Sequence, residues 1–189
     1  MVLLLALLCG LIVGYVRRGS LTKLGQLPLR CGWLILIAFF LQIVVFSSQF
    51  ESLGWSDRLD PGVHIFSNLL LLLAVGLNLS LSGMKILGIG LLLNFLVIVT
   101  NGGYMPVAPD DLARAGMADL AEVLRTQGHV SKSTVLTSET RLPFLADIFF
   151  VPSWLPVNNI FSIGDVFIGI GAFILVLRGM QGDDSESSA

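Results

Sequence analysis

From Val63 to Leu81 the chain runs without an Asp, Glu, Lys or Arg, and four further stretches are nearly as apolar. No other feature constrains the fold as tightly. About 20 apolar residues in helical form cross a hydrocarbon layer of about 30 Å, and within that layer every backbone N–H and C=O must be bonded internally. Composition points the same way: 54% of residues are hydrophobic and 13% charged, with a mean hydropathy of +0.86. A soluble domain carries roughly 25% charged residues, so there is too little charge here to cover a water-facing surface. The sequence predicts an all-α fold, a polytopic membrane helical bundle of about five transmembrane helices with one long extracytoplasmic loop.

The expected helices cover residues 2–16, 32–49, 63–81, 84–101 and 158–178, with the loop at 102–157. Residues 1–180 form one membrane domain, and the small, acidic stretch 181–189 is expected to be disordered. The first segment has its charges, Arg17 and Arg18, after the apolar run, the reverse of a secretory signal, and it lacks a small-residue cleavage site. It reads as a retained, short helix that tilts or is covered by its neighbours. Cys9 and Cys31 lie in or beside apolar segments and read as small packing residues; no small residue directly precedes Cys9, which argues against a lipid anchor. Gly10-x-x-x-Gly14 reads as a close-packing face.

Orientation follows from Lys and Arg in the short loops. Arg17, Arg18, Lys23 and Arg30 fill the first loop, whereas residues 50–62 hold Arg58 among the acids Glu51, Asp57 and Asp60. Lys85 and Arg178 fall on the same side as the first loop. The amino terminus is therefore placed outside, the carboxyl terminus in the cytoplasm, and the protein in a bacterial cytoplasmic (inner) membrane. Net charge is -2, with no basic block longer than Arg17-Arg18, so nucleic acid is not an expected partner. The expected partners are the lipid bilayer and another membrane protein.

The long loop has features of its own. Pro109-Asp110-Asp111 looks like a helix start, and Leu112, Gly116, Leu120 and Leu124 recur at helical spacing until Gly128. That helix lies either at the membrane surface or on the protein itself. Residues 142–155 are apolar but broken by Pro143 and Pro152, with Pro156 just beyond, which suggests a re-entrant or interfacial hairpin.

Polar side chains inside membrane segments are costly and mark function or interhelical bonding. His64 and Asn68, four apart, share a helix face. Asn94 and Asn101, seven apart, share another, and Asn101 opens into Gly102 and Gly103. For Asn68, Asn78, Asn94 and Gln42 the packing reading leads. His64 and His129 are too far apart in sequence to suggest a metal site, and no cofactor is implied. Ser162-Ile-Gly-Asp165 fits a capping box, with the serine as N-cap and the acid at N3.

The segments Asn101-Gly-Gly-Tyr-Met-Pro-Val, Leu145-Ala-Asp147 and Ser162-Ile-Gly-Asp165-Val resemble the signature of a family of bacterial multi-pass membrane proteins known as domain of unknown function 5317. That resemblance supplies no activity. The stretch from Asp147 through Pro156 and Phe161-Ser-Ile-Gly-Asp165 to Gly169 is similar to the carboxyl-terminal part of lipoprotein signal peptidases, which are membrane aspartic peptidases. This second resemblance implies Asp147 and Asp165 as a catalytic pair that shares a proton and activates water. It departs from the peptidase pattern in four respects: Ser162 stands for its asparagine, Gly164 stands for its alanine, the Gly-Asn-x-x-Asp-Arg element before the first aspartate is absent, and the Asn-Gly element follows the fourth expected helix. Three functions follow. The leading one is a non-enzymatic scaffold or accessory protein with a polar outer cluster formed by Asn101, Gly102, Gly103, His64, Asn68, Asn94 and Ser162. The alternatives are a membrane hydrolase acting through Asp147 and Asp165, and a carrier or binding protein for a lipid or small solute.

Overall fold

The computed structural model describes residues 2–45, 56–152 and 159–182. The acidic tail, the end of the second expected span (46–49) and the start of the last (158) lie outside those residues. The fold is mostly helical. In chain order the elements are α1 (Val2–Val16), α2 (Leu21–Gly25), α3 (Trp33–Val45), α4 (Ser56–Gly76), α5 (Met84–Thr100), β1 (Met105–Val107), α6 (Pro109–Arg114), α7 (Ala118–Gln127), β2 (His129–Val130), β3 (Ser133–Val135), a single 3-10 turn (Pro143–Leu145), β4 (Phe149–Val151), β5 (Asn159–Phe161) and α8 (Ile163–Gln181). Two helices, α4 from Leu59 and α8, are long and apolar enough to cross a membrane; α1, α3 and α5 are apolar but shorter.

Glycines set the bundle. A Cβ on Gly10 would meet Val176 and the Phe173 carbonyl, one on Gly14 would meet Met180, and one on Gly169 would meet Val2. The Gly10-x-x-x-Gly14 face thus packs on α8, and α1 and α8 run parallel. On the opposite flank of α8, Gly171 lies against the backbone of Gly83 and Leu87, and Gly164 against Gly90 and Asn94, so α5 runs antiparallel to α8. Side-chain bonds join the remaining helices. Gln42 Nε2 donates to Ser67 Oγ at 2.9 Å. Asn78 exchanges bonds with the Arg30 backbone, accepting at 2.7 Å and donating at 2.8 Å, which makes α3 and α4 antiparallel. One end of the bundle therefore gathers the starts of α1, α4 and α8 and the end of α5.

The segment between α5 and α8 caps that end, and here the all-α expectation needs correction. β1 pairs in parallel with β3, β3 pairs antiparallel with β2, and β4 pairs antiparallel with β5, Phe149 opposite Phe161. A backbone donor from Asp147 to the Pro106 carbonyl (3.0 Å) extends the first sheet on the other side of β1. The expected single helix from Pro109 is split into α6 and α7, because Gly116 turns left-handed (φ 81°) between them. Leu112, Ala121 and Leu124 bury against Val107, so α6 and α7 pack on the cap itself. The apolar, proline-broken stretch becomes the 3-10 turn and the β4–β5 pair, in which a proline lies just beyond the paired residues.

Three described boundaries differ from the sequence reading by five residues or more. α4 begins at Ser56 and stops at Gly76, seven residues earlier at its start and five earlier at its end than the expected 63–81. Asn78 Nδ2 takes the Ala74 carbonyl (2.7 Å), and this local side-chain bond closes the helix end. Asp60, read as a loop charge, is consequently buried inside α4. α8 starts at Ile163 instead of 158, because Ser162 caps it and the residues before it form β5. Cys9 and Cys31 are exposed and do not fill packing gaps as the sequence suggested.

Candidate functional site

The site forms where cap meets bundle. Ser162 is the N-cap of α8; its hydroxyl accepts from the Asp165 N–H (3.1 Å), and Asp165 Oδ2 accepts from the Ser162 N–H (3.2 Å). The capping box read from the sequence is therefore present. Asn94 on α5 closes it into a ring, donating from Nδ2 to Asp165 Oδ1 (2.9 Å) while its Oδ1 accepts from the Ser162 hydroxyl (2.8 Å). Both carboxylate oxygens of Asp165 are thus fixed acceptors at the positive end of a helix dipole. Gly164 is what lets Asn94 approach, since a Cβ there would strike the amide oxygen of Asn94.

Asp147 is held differently. Its backbone continues the β1 edge, while its side-chain Oδ1 is enclosed and has no hydrogen-bond partner. Burial pushes its pKa up from 3.8 to about 7, with the Asp165 carboxylate adding to the rise and Lys132 opposing it. A buried oxygen without a partner costs about 1–3 kcal/mol, and such exceptions call for a reason.

Asp147 and Asp165 line one cavity of about 320 Å³. Lys132, Ser133 and Asn159 supply its other polar lining. Its apolar wall comes from Val2 and Leu3 at the start of α1, Leu112, Met117 and Leu120 on the cap, Ile160 and Phe161 on β5, and Ile168 on α8. Ligand pockets have volumes of roughly 300–1,000 Å³, largely apolar with a few convergent polar groups. This cavity falls at the small end of that range.

The other residues expected in an outer polar cluster lie at the same end but do not line the cavity. His64 Nδ1 is 2.8 Å from the Gly103 carbonyl, and Asn68 Nδ2 donates to the His64 carbonyl at 2.8 Å. The His64 contact ties the first residues of the cap to α4, whereas the Asn68 bond stays within α4. Gly103 (φ 94°) packs so tightly on Pro61 that a Cβ would come within 2.5 Å of the ring, and Gly102 (φ 72°) faces open space. Asn101 clamps the far side of the cap: it donates to the Arg141 carbonyl (2.8 Å) and accepts from the Arg141 N–H (2.9 Å). Of these five residues, Asn101, Gly103 and His64 are attachment points for the cap, while Asn68 bonds inside α4 and Gly102 makes no close contact at its Cβ position. Asn94 and Ser162 orient Asp165. Lys132, Ser133 and Asn159 belong to the cavity and were missed from sequence: the first two lie in a polar stretch with no motif around them, and Asn159 fell at the start of the expected last span.

A helical bundle whose capped end encloses a mixed polar and apolar pocket is the class of protein that fold and site define. The chain belongs to a family of unknown function (DUF5317), which matches it over residues 26–177. It is also 30% identical over 175 residues to a protein of Thermotoga maritima described as uncharacterized, covering 92% of this chain and 86% of that one. No solved structure matches. The likeness to lipoprotein signal peptidases is not shown by these comparisons.

Proposed function

We propose that this chain is a multi-pass protein of the bacterial cytoplasmic membrane, crossing it five times with its amino terminus outside, and that it serves as an accessory protein binding a small amphipathic molecule beneath its outer cap. The observation that carries the binding reading is the cavity itself, lined by two carboxylates and a lysine together with aliphatic and aromatic side chains. The membrane reading is supported by the outward faces of the helices. Ile12, Leu36, Phe40, Ile43, Phe66 and Leu73 are all more than half exposed, a belt no water-soluble surface of this size would carry. Helix directions alternate as five crossings require. The pocket reading is tested with Met117→Trp, which fills the cavity from the cap. Purified protein is expected to lose binding of an added fluorescent amphiphile while its helical circular dichroism stays unchanged; undiminished binding would contradict the reading.

A hydrolytic reading draws on one specific observation, the placement of Asp147 and Asp165 in the same cavity with unlike environments. Asp147, titrating near 7, would protonate a scissile carbonyl while the other carboxylate takes a proton from water. It ranks second because both oxygens of Asp165 are engaged by Asn94 and Ser162. Unchanged processing of membrane-anchored substrates in cells carrying both Asp147→Asn and Asp165→Asn would exclude it.

A further inference from the structure

The cavity carries more chemical detail than the word amphipathic conveys. Its polar side has two acids and one base, and the acids are not equivalent. Asp165 has both oxygens occupied by fixed donors, whereas Asp147 Oδ1 is enclosed without one. Asp147 lines the cavity and its carboxylate has no described hydrogen bond, so a ligand N–H, best a charged one, would be its first donor. A quaternary ammonium has no N–H to give, so the fitting cation is a protonated amine. A metal ion is a poorer match: among the described residues no group of three His, Cys, Asp or Glu side chains could hold one.

Lys132 borders the same space and pairs with neither acid within 4.0 Å among the described ion pairs. Lys132 is exposed to solvent, so its charge needs no ligand, but an anionic group on a ligand held in the cavity would meet it. The apolar wall then matters. Val2 and Leu3 open the first turn of α1, and the next residues, Leu4 and Leu5, are exposed on the outer face of the bundle, so the hydrocarbon lining continues outward toward the lipid belt. A volume of about 320 Å³ admits a headgroup and the first carbons of its chains.

From this, and resting on the pocket-binding reading above, we infer that the site takes the headgroup of an amine-bearing phospholipid, its ammonium at Asp147 beside Asp165, its phosphate toward Lys132, and its acyl chains leaving over Val2 and Leu3 into the bilayer. The ligand is a zwitterion whose two charges match the order of charges in the cavity.

The test uses full-length protein in a sugar-based detergent, titrated with short-chain phosphatidylethanolamine, phosphatidylcholine and phosphatidylglycerol of identical chains and with soluble phosphoethanolamine, binding being read by native mass spectrometry. Phosphatidylethanolamine is expected to bind about tenfold or more tighter than phosphatidylcholine, the difference one charge-assisted hydrogen bond makes. Asp147→Asn should abolish that preference, and Lys132→Ala should weaken phosphatidylethanolamine and phosphatidylglycerol alike. Equal binding of ethanolamine and choline lipids by the native protein, a comparison that needs no variant to fold, would overturn the headgroup assignment, as would a preference that survives Asp147→Asn. Soluble phosphoethanolamine binding as tightly as the lipid would overturn the assignment to a membrane lipid. Absence of binding by all three lipids would contradict the pocket reading itself.

Discussion

In lipid-free detergent, Asp147→Asn is expected to be more stable than the native protein above pH 7 and no more stable at pH 4. The folded protein holds the Asp147 proton up to about pH 7, whereas the unfolded chain releases it near 3.8. Between those values the folded state binds more protons than the unfolded one, so stability falls as pH rises and is lowest once the folded carboxyl has ionised. The causes, in order, are burial and the Asp165 carboxylate, partly offset by Lys132. After allowance for the partial exposure of this residue, the ionised form costs roughly 2 kcal/mol. For a chain of this length that is a melting-temperature gap of about 4–8 °C at pH 8. An asparagine keeps the shape and removes the charge. If the variant were instead less stable at every pH, the carboxylate would have a partner and the open oxygen would need no ligand.

The second large effect concerns the α5–α8 crossing. A Cβ on Gly171 would meet the Leu87 nitrogen at 2.5 Å and the Gly83 carbonyl at 2.7 Å. Both are backbone atoms, one inside α5 and one at its N-cap, and neither can rotate away as a side chain could. Gly171→Val is therefore expected to push the helices apart at a cost of about 3 kcal/mol or more, at or above the usual range for an overpacked interior. Displacing α8 also displaces Asp165 from Asn94, so amphiphile binding should fall with stability. Gly76, at the end of α4, has nothing within 4 Å of its Cβ position. Gly76→Ala is expected to be neutral or to stabilise by up to about 0.5 kcal/mol. Equal thermal stability of the two variants would mean that α5 and α8 are not in backbone contact.

The bundle was legible because its signals are local. Uncharged runs located α1 and α5 to within a residue, and the Ser162–Asp165 spacing announced the cap of α8. Where tertiary contacts decide, the sequence misled. Nothing around Asn78 says that its side chain will reach both Ala74 and Arg30 and end α4 early. The cap's strands are two or three residues long, too short for an alternating pattern, and the pairing of β1 with β3 joins residues 28 apart across two helices. The site divided along the same line. Asp147 and Asp165 were singled out and share a cavity, yet none of the seven residues expected beside them lines it, because which face of a loop turns inward is set by packing that no periodicity records. Lys132 was invisible for that reason.

The account stands on a five-crossing chain whose cap faces outside, and site-directed labelling tests that claim most directly. In a background with Cys9 and Cys31 replaced by serine, single cysteines are placed at Glu122 on the cap and Gln26 in the loop after α2, both exposed. A membrane-impermeant maleimide is then applied to intact cells or spheroplasts. The predicted result is labelling of the Glu122→Cys protein in intact preparations and of Gln26→Cys after permeabilisation. Labelling of both from the same side, or of Gln26→Cys alone from outside, would contradict it.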